Sequence, residues 1–229
     1  MPILHLFYSI FIILSMTLAT TSYAYQQNTK LWVGLTTTQA LTADGRWKYL
    51  IFSQARYVNE SLPWQSVLLE GAIGKEINKD STIWLGYRFT ERNPAAGFNP
   101  ENRLFQQYIT RFAYNDKFEW IYRGRLEETQ RKGQNQIALR LRNRLTFGFR
   151  EPLFLRFLPM FYDEIFLQLN QTSWTPHYVV SENRLFIGGN WSYSNTSWLE
   201  IGYLNQYHMR LPQQAQNTMS HVISAVYYF

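Results

Sequence analysis

Arginine recurs at every second position in one short segment of the chain, at Arg140, Arg142 and Arg144. A β-strand places alternate side chains on one face, so a strand would gather the three guanidinium groups there. A helix would scatter them, because its step of about 100° points Arg140 and Arg142 in nearly opposite directions. Guanidinium groups in a row pair with carboxylates or attract other anions. The segment Gln136–Arg150 therefore predicts a strand with one cationic face, and its other face is almost wholly apolar.

Histidine could supply a base for hydrolysis, and three histidines follow residue 24: His177, His208 and His221. Ser220 precedes His221, but neighbouring strand residues point to opposite faces and cannot act together as nucleophile and base. Asp163 and Glu164 diverge for the same reason, and the sequence has no metal-binding or phosphate-binding motif. We predict no catalytic, metal or cofactor site, and we keep a lipid-modifying enzyme that uses His208 or His221 as an alternative.

Long strands must hold these side chains. Apolar and polar residues alternate in repeated segments, most of 11 residues or more, and strands of about 9 to 11 residues can cross a bilayer at a tilt. Tight turns such as Ala43–Gly45 and Asn78–Asp80 alternate with longer polar connections such as Gln171–Asn183. The pattern predicts an all-β fold, an antiparallel up-and-down transmembrane β-barrel of about 10 to 12 strands. The segments are Trp47–Tyr57, Ser66–Ile77, Ser81–Arg92, Asn102–Asn115, Phe118–Glu127, Gln136–Arg150, Met160–Asn170, Arg184–Asn195, Ser197–His208 and Met219–Phe229.

One further segment leaves the number of strands open. If Phe229 ends on the periplasmic side, ten strands run from Trp47 to the C-terminus, and Lys30–Leu41 would be an eleventh. Single-chain bacterial barrels have even numbers of strands. Lys30–Leu41 would then thread the lumen or the periplasm, or a further strand would lie within Glu151–Pro159.

The first 24 residues differ from the rest, because they contain no Lys, Arg, Asp or Glu. Leu6–Leu18 is nearly continuously apolar, which is typical of a signal peptide and shorter than the roughly 20 residues of a spanning helix. Ser22 and Ala24 place small residues three and one before a cleavage point. We predict a signal peptide at residues 1–24 and an outer-membrane β-barrel at residues 25–229, with an uncleaved anchor as the alternative.

Composition excludes several other classes of protein. Cysteine is absent, so neither disulfides nor thiolate metal sites hold the fold. After Ala24 no run of about 18 apolar residues occurs, which excludes helical membrane spans. The 16 Tyr, 16 Phe and 8 Trp suit the aromatic girdles of a membrane barrel.

Strand period alone does not decide which face is inside, because a secreted, soluble lipocalin-like barrel has the same period with an apolar interior. In lipid, each arginine near the midplane would cost about 2 to 4 kcal/mol. In a membrane the arginines must therefore face the lumen, where carboxylates would pair with them in a polar plug. The excess of arginine biases any passage toward anions. The predicted lumen charge network comprises Arg56, Arg88, Arg103, Arg111, Arg123, Arg125, Glu127, Arg140, Arg142, Arg144, Arg150, Glu164, Arg184 and Glu200.

The last predicted strand ends with Tyr227 and Phe229, and this aromatic end is similar to the final strand of bacterial outer-membrane barrels. We predict that it is an assembly signal for the barrel-assembly machinery. The expected partners are outer-membrane lipid and lipopolysaccharide, and not nucleic acid, because the arginines face inward. The expected location is the bacterial outer membrane, and the expected function is structural or that of a narrow pore with weak, anion-leaning transport.

Short motifs occur in order along almost all of the chain after residue 24. They are Trp32, Gly86-Tyr87-Arg88, Asn102-Arg103-Leu104 with Gln106 and Gln107, Arg123-x-Arg125, Arg140-x-Arg142-x-Arg144, Asp163-Glu164, Asn183-Arg184-Leu185 with Gly188, and Glu200-x-Gly202-Tyr203-x-Asn205-Gln206. In this order they resemble the uncharacterised outer-membrane barrel family known as domain of unknown function 2490. That family tends to carry an acidic residue shortly before its first luminal arginine, and this chain has Gln54 before Arg56. The resemblance implies a barrel in the outer membrane and no established activity.

Overall fold

The structure, a computed structural model, describes residues 25–58, 64–92, 97, 99–211 and 214–229. The predicted signal peptide, residues 1–24, lies outside the described residues. Within the described part of the chain, no helix is long and apolar enough to cross a membrane. The strands are β1 (Tyr25–Ala40), β2 (Trp47–Val58), β3 (Trp64–Asn78), β4 (Ser81–Arg92), β5 (Pro100–Asn115), β6 (Phe118–Arg131), β7 (Ala138–Phe149), β8 (Phe157–Gln168), β9 (Val180–Ser192), β10 (Trp198–His208) and β11 (Asn217–Tyr228).

The strands form one closed barrel in which each strand pairs with its neighbours along the chain. Consecutive strands are antiparallel, so an odd number of strands leaves β1 and β11 running in the same direction. The barrel therefore closes through a parallel pair, in which Lys30 lies opposite Val222 and Leu35 lies opposite Tyr227. The predicted all-β barrel of 10 to 12 strands is confirmed, and the parallel pair is a departure from a wholly antiparallel wall.

The segment Lys30–Leu41, whose position the sequence left open, lies in the barrel wall and forms most of β1. This excludes the alternative in which the segment threads the lumen or the periplasm. Glu151–Pro159 contributes the start of β8 and an isolated bridge between Phe154 and Phe157, not a further strand. Leu155 and Arg156 have positive φ angles of 39° and 64°, which are unfavourable for residues with a Cβ and do not belong to a strand.

The two ends of the barrel carry different connections. At the turn end, the strands are joined by residues 41–46, 79–80, 116–117, 150–156 and 193–197, and the chain finishes there at Phe229. The loop end carries the other connections, including residues 132–137 and 169–179. Because β1 is parallel to β11, Tyr25 begins at the loop end. The first and last strand residues therefore lie at opposite ends of the barrel.

The turn between β1 and β2 shows how the tight connections form. Asp44 accepts hydrogen bonds from the Thr42 hydroxyl at 2.5 Å and from the Arg46 backbone N–H at 3.1 Å, and both hold the pKa of Asp44 below its ordinary value. Gly45 follows with a φ of 69°, a left-handed conformation that glycine adopts without steric cost. The Asp-Gly pair thus makes the reversal that the sequence predicted at this point.

The exterior face of the wall is largely apolar, and the arginines and glutamates of the strands lie mostly on the interior face. Exterior residues such as Leu69, Leu85 and Ile187 are 55 %, 62 % and 66 % exposed. Interior residues such as Glu127 and Arg142 are 0 % and 5 % exposed. Arg140, Arg142 and Arg144 alternate with Leu141, Asn143 and Leu145 along β7, so the arginines share the interior face with their glutamate partners.

The interior has two halves of different chemistry. Toward the turn end, Trp32, Tyr162, Phe186, Leu204 and Val222 form one apolar cluster, and Ala72, Trp84 and Phe105 form another. Phe186 stacks on Tyr162 with ring centroids 4.7 Å apart, and a Cβ at Gly202 would come within 2.5 Å of the Phe186 ring. We call this region the apolar half. Toward the loop end, charged side chains fill the interior, and we call that region the ionic half.

Candidate functional site

Glutamates in the ionic half act as shared centres for several arginines. Glu101 contacts Arg92 at 2.8 Å, Arg103 at 2.5 Å and Arg131 at 2.9 Å. Glu127, on the neighbouring strand β6, contacts Arg103 at 3.2 Å, and Arg140 and Arg142 at 2.7 Å each. Arg103 therefore joins the two glutamates into one network. Buried ion pairs repay their desolvation only when the remaining hydrogen-bonding groups are also satisfied, and the sharing provides this.

The network continues into a closed ring of six side chains. Arg142 reaches Glu164 at 2.9 Å, Arg184 joins Glu164 at 3.6 Å to Glu182 at 2.5 Å, and Arg140 lies 4.0 Å from Glu182. With the contacts of Arg140 and Arg142 to Glu127, the ring is complete. Arg123 also reaches Glu164, at 2.5 Å.

Phe166 lies within this ring and is fully buried. The guanidinium carbons of Arg140, Arg142 and Arg184 lie 4.8, 4.7 and 4.6 Å from the centre of its aromatic ring. An aromatic face attracts cations, so Phe166 supports three arginines that would otherwise repel one another. The ring thus links the interior side chains of four neighbouring strands, β6 to β9.

A second centre lies at Glu70 on β3. Arg125 donates two hydrogen bonds to Glu70, of 2.9 and 3.0 Å, and Arg88 donates another of 2.7 Å. Arg125 also donates to Gln107 at 2.7 Å and lies 3.9 Å from the centre of the Phe105 ring. These contacts join side chains of four neighbouring strands, β3, β4, β5 and β6, inside the barrel.

The described interior carries more positive than negative charge. Twelve basic side chains face six glutamates, which leaves an excess of six positive charges. Arg56 and Arg144 have no carboxylate among the described residues within 4.0 Å. The basic residues are Lys30, Arg56, Arg88, Arg92, Arg103, Arg123, Arg125, Arg131, Arg140, Arg142, Arg144 and Arg184, and the glutamates are Glu70, Glu101, Glu127, Glu164, Glu182 and Glu200.

Two adjoining cavities lie in the ionic half. An outer cavity of about 540 Å³ at the loop end is lined by Trp64, Trp174 and charged residues of the network. An inner cavity of about 120 Å³ is lined by Trp32, Arg56 and further charged residues, and it shares lining residues such as Lys30 and Glu182 with the outer one. Polar ligands entering from the loop end would therefore meet a cationic surface.

Twelve residues of the predicted charge network lie in the interior, and two do not. Arg111 and Arg150 are exposed near the turn end, because Arg111 follows the buried part of β5 and Arg150 lies just after β7. Glu200 is inside but meets Tyr228, whose hydroxyl donates to it at 3.3 Å. Tyr227 and Phe229 lie outside at the turn end with their rings stacked, 6.1 Å between centroids.

The structure adds network residues that lie outside the predicted strand segments. Glu101, Arg131 and Glu182 lie at the loop ends of β5, β6 and β9, which extend further than the alternation predicted. A signal was present, because Glu101 lies two residues before Arg103 and Glu182 lies two residues before Arg184. Side chains two apart share a strand face, so each pair continues an interior row.

The histidines lie apart from one another. His208 faces inward with its Nδ1 atom 3.4 Å from Glu182, whereas His221 faces outward with its Nδ1 atom 2.6 Å from the Tyr203 hydroxyl. His177 is exposed in a loop. Asp163 and Glu164 diverge as expected, and Asp163 accepts a hydrogen bond of 2.6 Å from Asn183 on the exterior. Within the described ranges, no three His, Cys, Asp or Glu residues are arranged to hold a metal ion.

The fold and interior define a class of protein, a closed β-barrel with a cationic ion-pair network in its lumen. The chain belongs to the family described as protein of unknown function (DUF2490), whose model matches residues 29–217. An uncharacterised protein of Methylorubrum extorquens is 26 % identical over 182 residues, which cover 79 % of this chain and 78 % of that protein. No solved structure matches the chain.

Proposed function

We propose that this protein is an outer-membrane β-barrel of structural or narrow-pore type, with weak anion-leaning transport through a charged lumen. The observation that carries the proposal is the distribution of side chains, with apolar residues outside and arginines inside. A soluble barrel that binds an apolar ligand needs the opposite distribution. The faces of the described strands therefore favour lipid around the barrel and water or ions within it.

The exterior supports lipid contact on several strands. Leu31, Leu104 and Ile223 are 43 %, 52 % and 49 % exposed on β1, β5 and β11. Soluble monomers rarely expose contiguous apolar patches larger than a few hundred Å². Trp47, Trp191 and Tyr193, near the turn end, are also exposed, which suits an aromatic girdle at a membrane interface. Acyl chains would cover this band.

The interior favours a narrow passage over a wide one. The ring of arginines and glutamates, together with the Glu70 centre, fills the lumen beside strands β3 to β9 with paired charges. The excess of six positive charges would favour anions over cations in whatever space remains. A passage through this network would therefore conduct weakly and prefer anions.

The C-terminal strand and the loop-end connections contain the residues that would contact the proposed partners. Tyr227 and Phe229 stack on the exterior at the end of the last strand, where assembly machinery would find them accessible. Lys132, in the loop-end connection after β6, is exposed and would meet lipopolysaccharide phosphates if the loop end faces outward.

Membrane fractionation tests the location, and planar-bilayer recording tests transport. We expect the protein in the outer-membrane fraction, with gel mobility that changes on heating, and small channels that prefer chloride to potassium. Recovery in buffer without detergent would overturn the proposal. A silent barrel in the outer membrane would retain the structural version and remove transport.

A further inference from the structure

Arg56 on β2 has an unusual environment among the interior arginines. Its Nε atom donates to the side-chain oxygen of Gln54 at 2.7 Å, and its guanidinium carbon lies 4.2 Å from the centre of the Trp32 ring. Both partners are neutral. Among the described residues no carboxylate lies within ion-pair distance of Arg56. The charges of Arg184 and Arg88 repel it, and Glu182 attracts it from beyond that distance. An interior guanidinium with neutral partners lacks the anion that offsets its desolvation.

The inner cavity beside Arg56 shares this imbalance. Eight Lys or Arg residues line the cavity of about 120 Å³, whereas two glutamates do. Trp32 also lines it, is 3 % exposed, and has an indole N–H without a hydrogen-bond partner. Lys30 lies at the same cavity and donates to Gln206 at 3.2 Å. Hydrogen-bond donors and positive charge therefore exceed the acceptors that the cavity walls provide.

Arg144 shows that a missing ion pair alone does not make such a site. It also has no carboxylate within 4.0 Å in the described ranges, but it lies over the Tyr162 ring at 4.6 Å and is attracted by Glu164 and Glu200. It lines neither of the two cavities. The Nε atom of Arg144 also lacks a hydrogen-bond partner, so the adjoining cavity and the repulsion by Arg184 and Arg88 are what distinguish Arg56.

We propose that the inner cavity binds a small oxoanion of the phosphate type, held by Arg56 with Lys30 and Trp32 as further donors. The anion replaces the carboxylate that no described residue supplies within ion-pair distance, and its oxygens accept hydrogen bonds from the guanidinium, ammonium and indole groups. The assignment deepens the proposed function and rests on it for the route of entry, since the outer cavity leads from the loop end to this site.

The same site suits free phosphate or a phosphate group on a larger molecule. The outer cavity of about 540 Å³ has room for a sugar-sized group, with Trp64 and Trp174 in its lining. Inorganic phosphate and a hexose phosphate distinguish these two sources. If the hexose phosphate binds more tightly, the outer cavity holds the sugar part of the ligand. If the two bind equally, the site recognises the phosphate group alone.

The test is the thermal unfolding of the folded barrel in detergent, measured against phosphate concentration at constant ionic strength. The wild-type protein is expected to gain Tm in a saturable way. Arg56→Gln removes the main donor and should weaken the apparent affinity by about tenfold or more. Gln54→Glu places a carboxylate beside Arg56, so it should raise Tm without phosphate and abolish the response to phosphate. The control is Arg111→Gln, which also removes one positive charge but at an exposed residue near the turn end. It should respond to phosphate as the wild type does.

Equal phosphate responses in all four proteins would overturn the site, since they would report a general salt effect. A response lost in Arg56→Gln but kept in Gln54→Glu would also overturn it, because the added carboxylate should compete with the ligand. Binding is measured at equilibrium, so a barrel that binds phosphate but conducts no current would separate this site from the proposed transport.

Discussion

The two halves of the barrel interior are stabilised in different ways. In the apolar half, Phe186, Leu204 and Val222 are 0 %, 1 % and 0 % exposed and fill the lumen with side-chain volume. In the ionic half, Glu101, Glu127 and Glu164 each contact three arginines, and cavities remain between the charges. The apolar half depends on packing, whereas the ionic half depends on the glutamates that each pair with several arginines.

This difference indicates which half carries function. Buried ion pairs are often no more stabilising than apolar residues of similar volume, so the ionic half gives little stability in return for its desolvation cost. In the apolar half, packed side chains fill much of the lumen. A charged, incompletely filled region at the loop end is therefore better explained by contact with ions or polar ligands than by stability.

Glu127→Gln should give the largest effect and tests the dependence of the ionic half on complete pairing. The change leaves Arg103, Arg140 and Arg142 short of one shared carboxylate in a fully buried position. Breaking a buried pair costs about 3 to 5 kcal/mol, and three affected arginines place this variant near 5 kcal/mol. Urea unfolding in detergent measures the loss.

The control for this variant is Glu151→Gln, which also removes one negative charge but at an exposed residue in the connection 150–156. It should change the free energy of unfolding by less than about 0.5 kcal/mol. If both variants unfold alike, the ionic half does not depend on pairing and the contrast between the halves fails.

Leu204→Ala should give the second largest effect and tests the apolar half. Leu204 packs with Trp32, Phe186 and Val222 and is 1 % exposed. Truncating a buried leucine costs about 2 to 5 kcal/mol through lost transfer energy and the cavity left behind, and we expect about 3 kcal/mol. Raising the salt concentration should leave this loss unchanged, whereas the loss in Glu127→Gln should vary with salt. Equal salt dependence in the two variants would contradict the division of the interior.

The sequence predicted the ionic half better at the middle of the strands than at their ends. Along β7 the alternation of arginine with leucine specifies both the strand and its inward face, since only a period of two places the two residue types on opposite faces. Glu101 and Glu182 were assigned to loops, because polar residues flank them and hydrophobic alternation stops there. The Arg56 environment was partly visible, because Gln54 stands where a carboxylate was expected.

Closure of the barrel was beyond local sequence reasoning. The pairing of β1 with β11 joins residues from the two ends of the chain, such as Thr29 and His221, and no periodicity within either strand specifies the partner or its direction. The preference for an even number of strands pointed away from the result. The ring around Phe166 was likewise hidden, since it combines side chains from four strands.

Arg131→Gln should give the smallest change in stability and tests whether the ionic half holds the mouth of the barrel. Arg131 lies 4.1 Å from the Trp174 ring centre and donates to Glu101 at 2.9 Å, so it attaches the connection 169–179 to the network. Its side chain is 24 % exposed, and we expect a loss of less than about 1 kcal/mol.

The larger consequence should be local. Without the Arg131 contact, Trp174 loses its cation and chymotrypsin should cleave the connection 169–179 severalfold faster, while global unfolding hardly changes. Lys132→Gln makes the same charge change at the next residue and should leave the cleavage rate as it is. Matching rates in the two variants would show that the connection is held by its own hydrogen bonds, such as those between Thr172 and Thr175, and that the ionic half ends below the mouth.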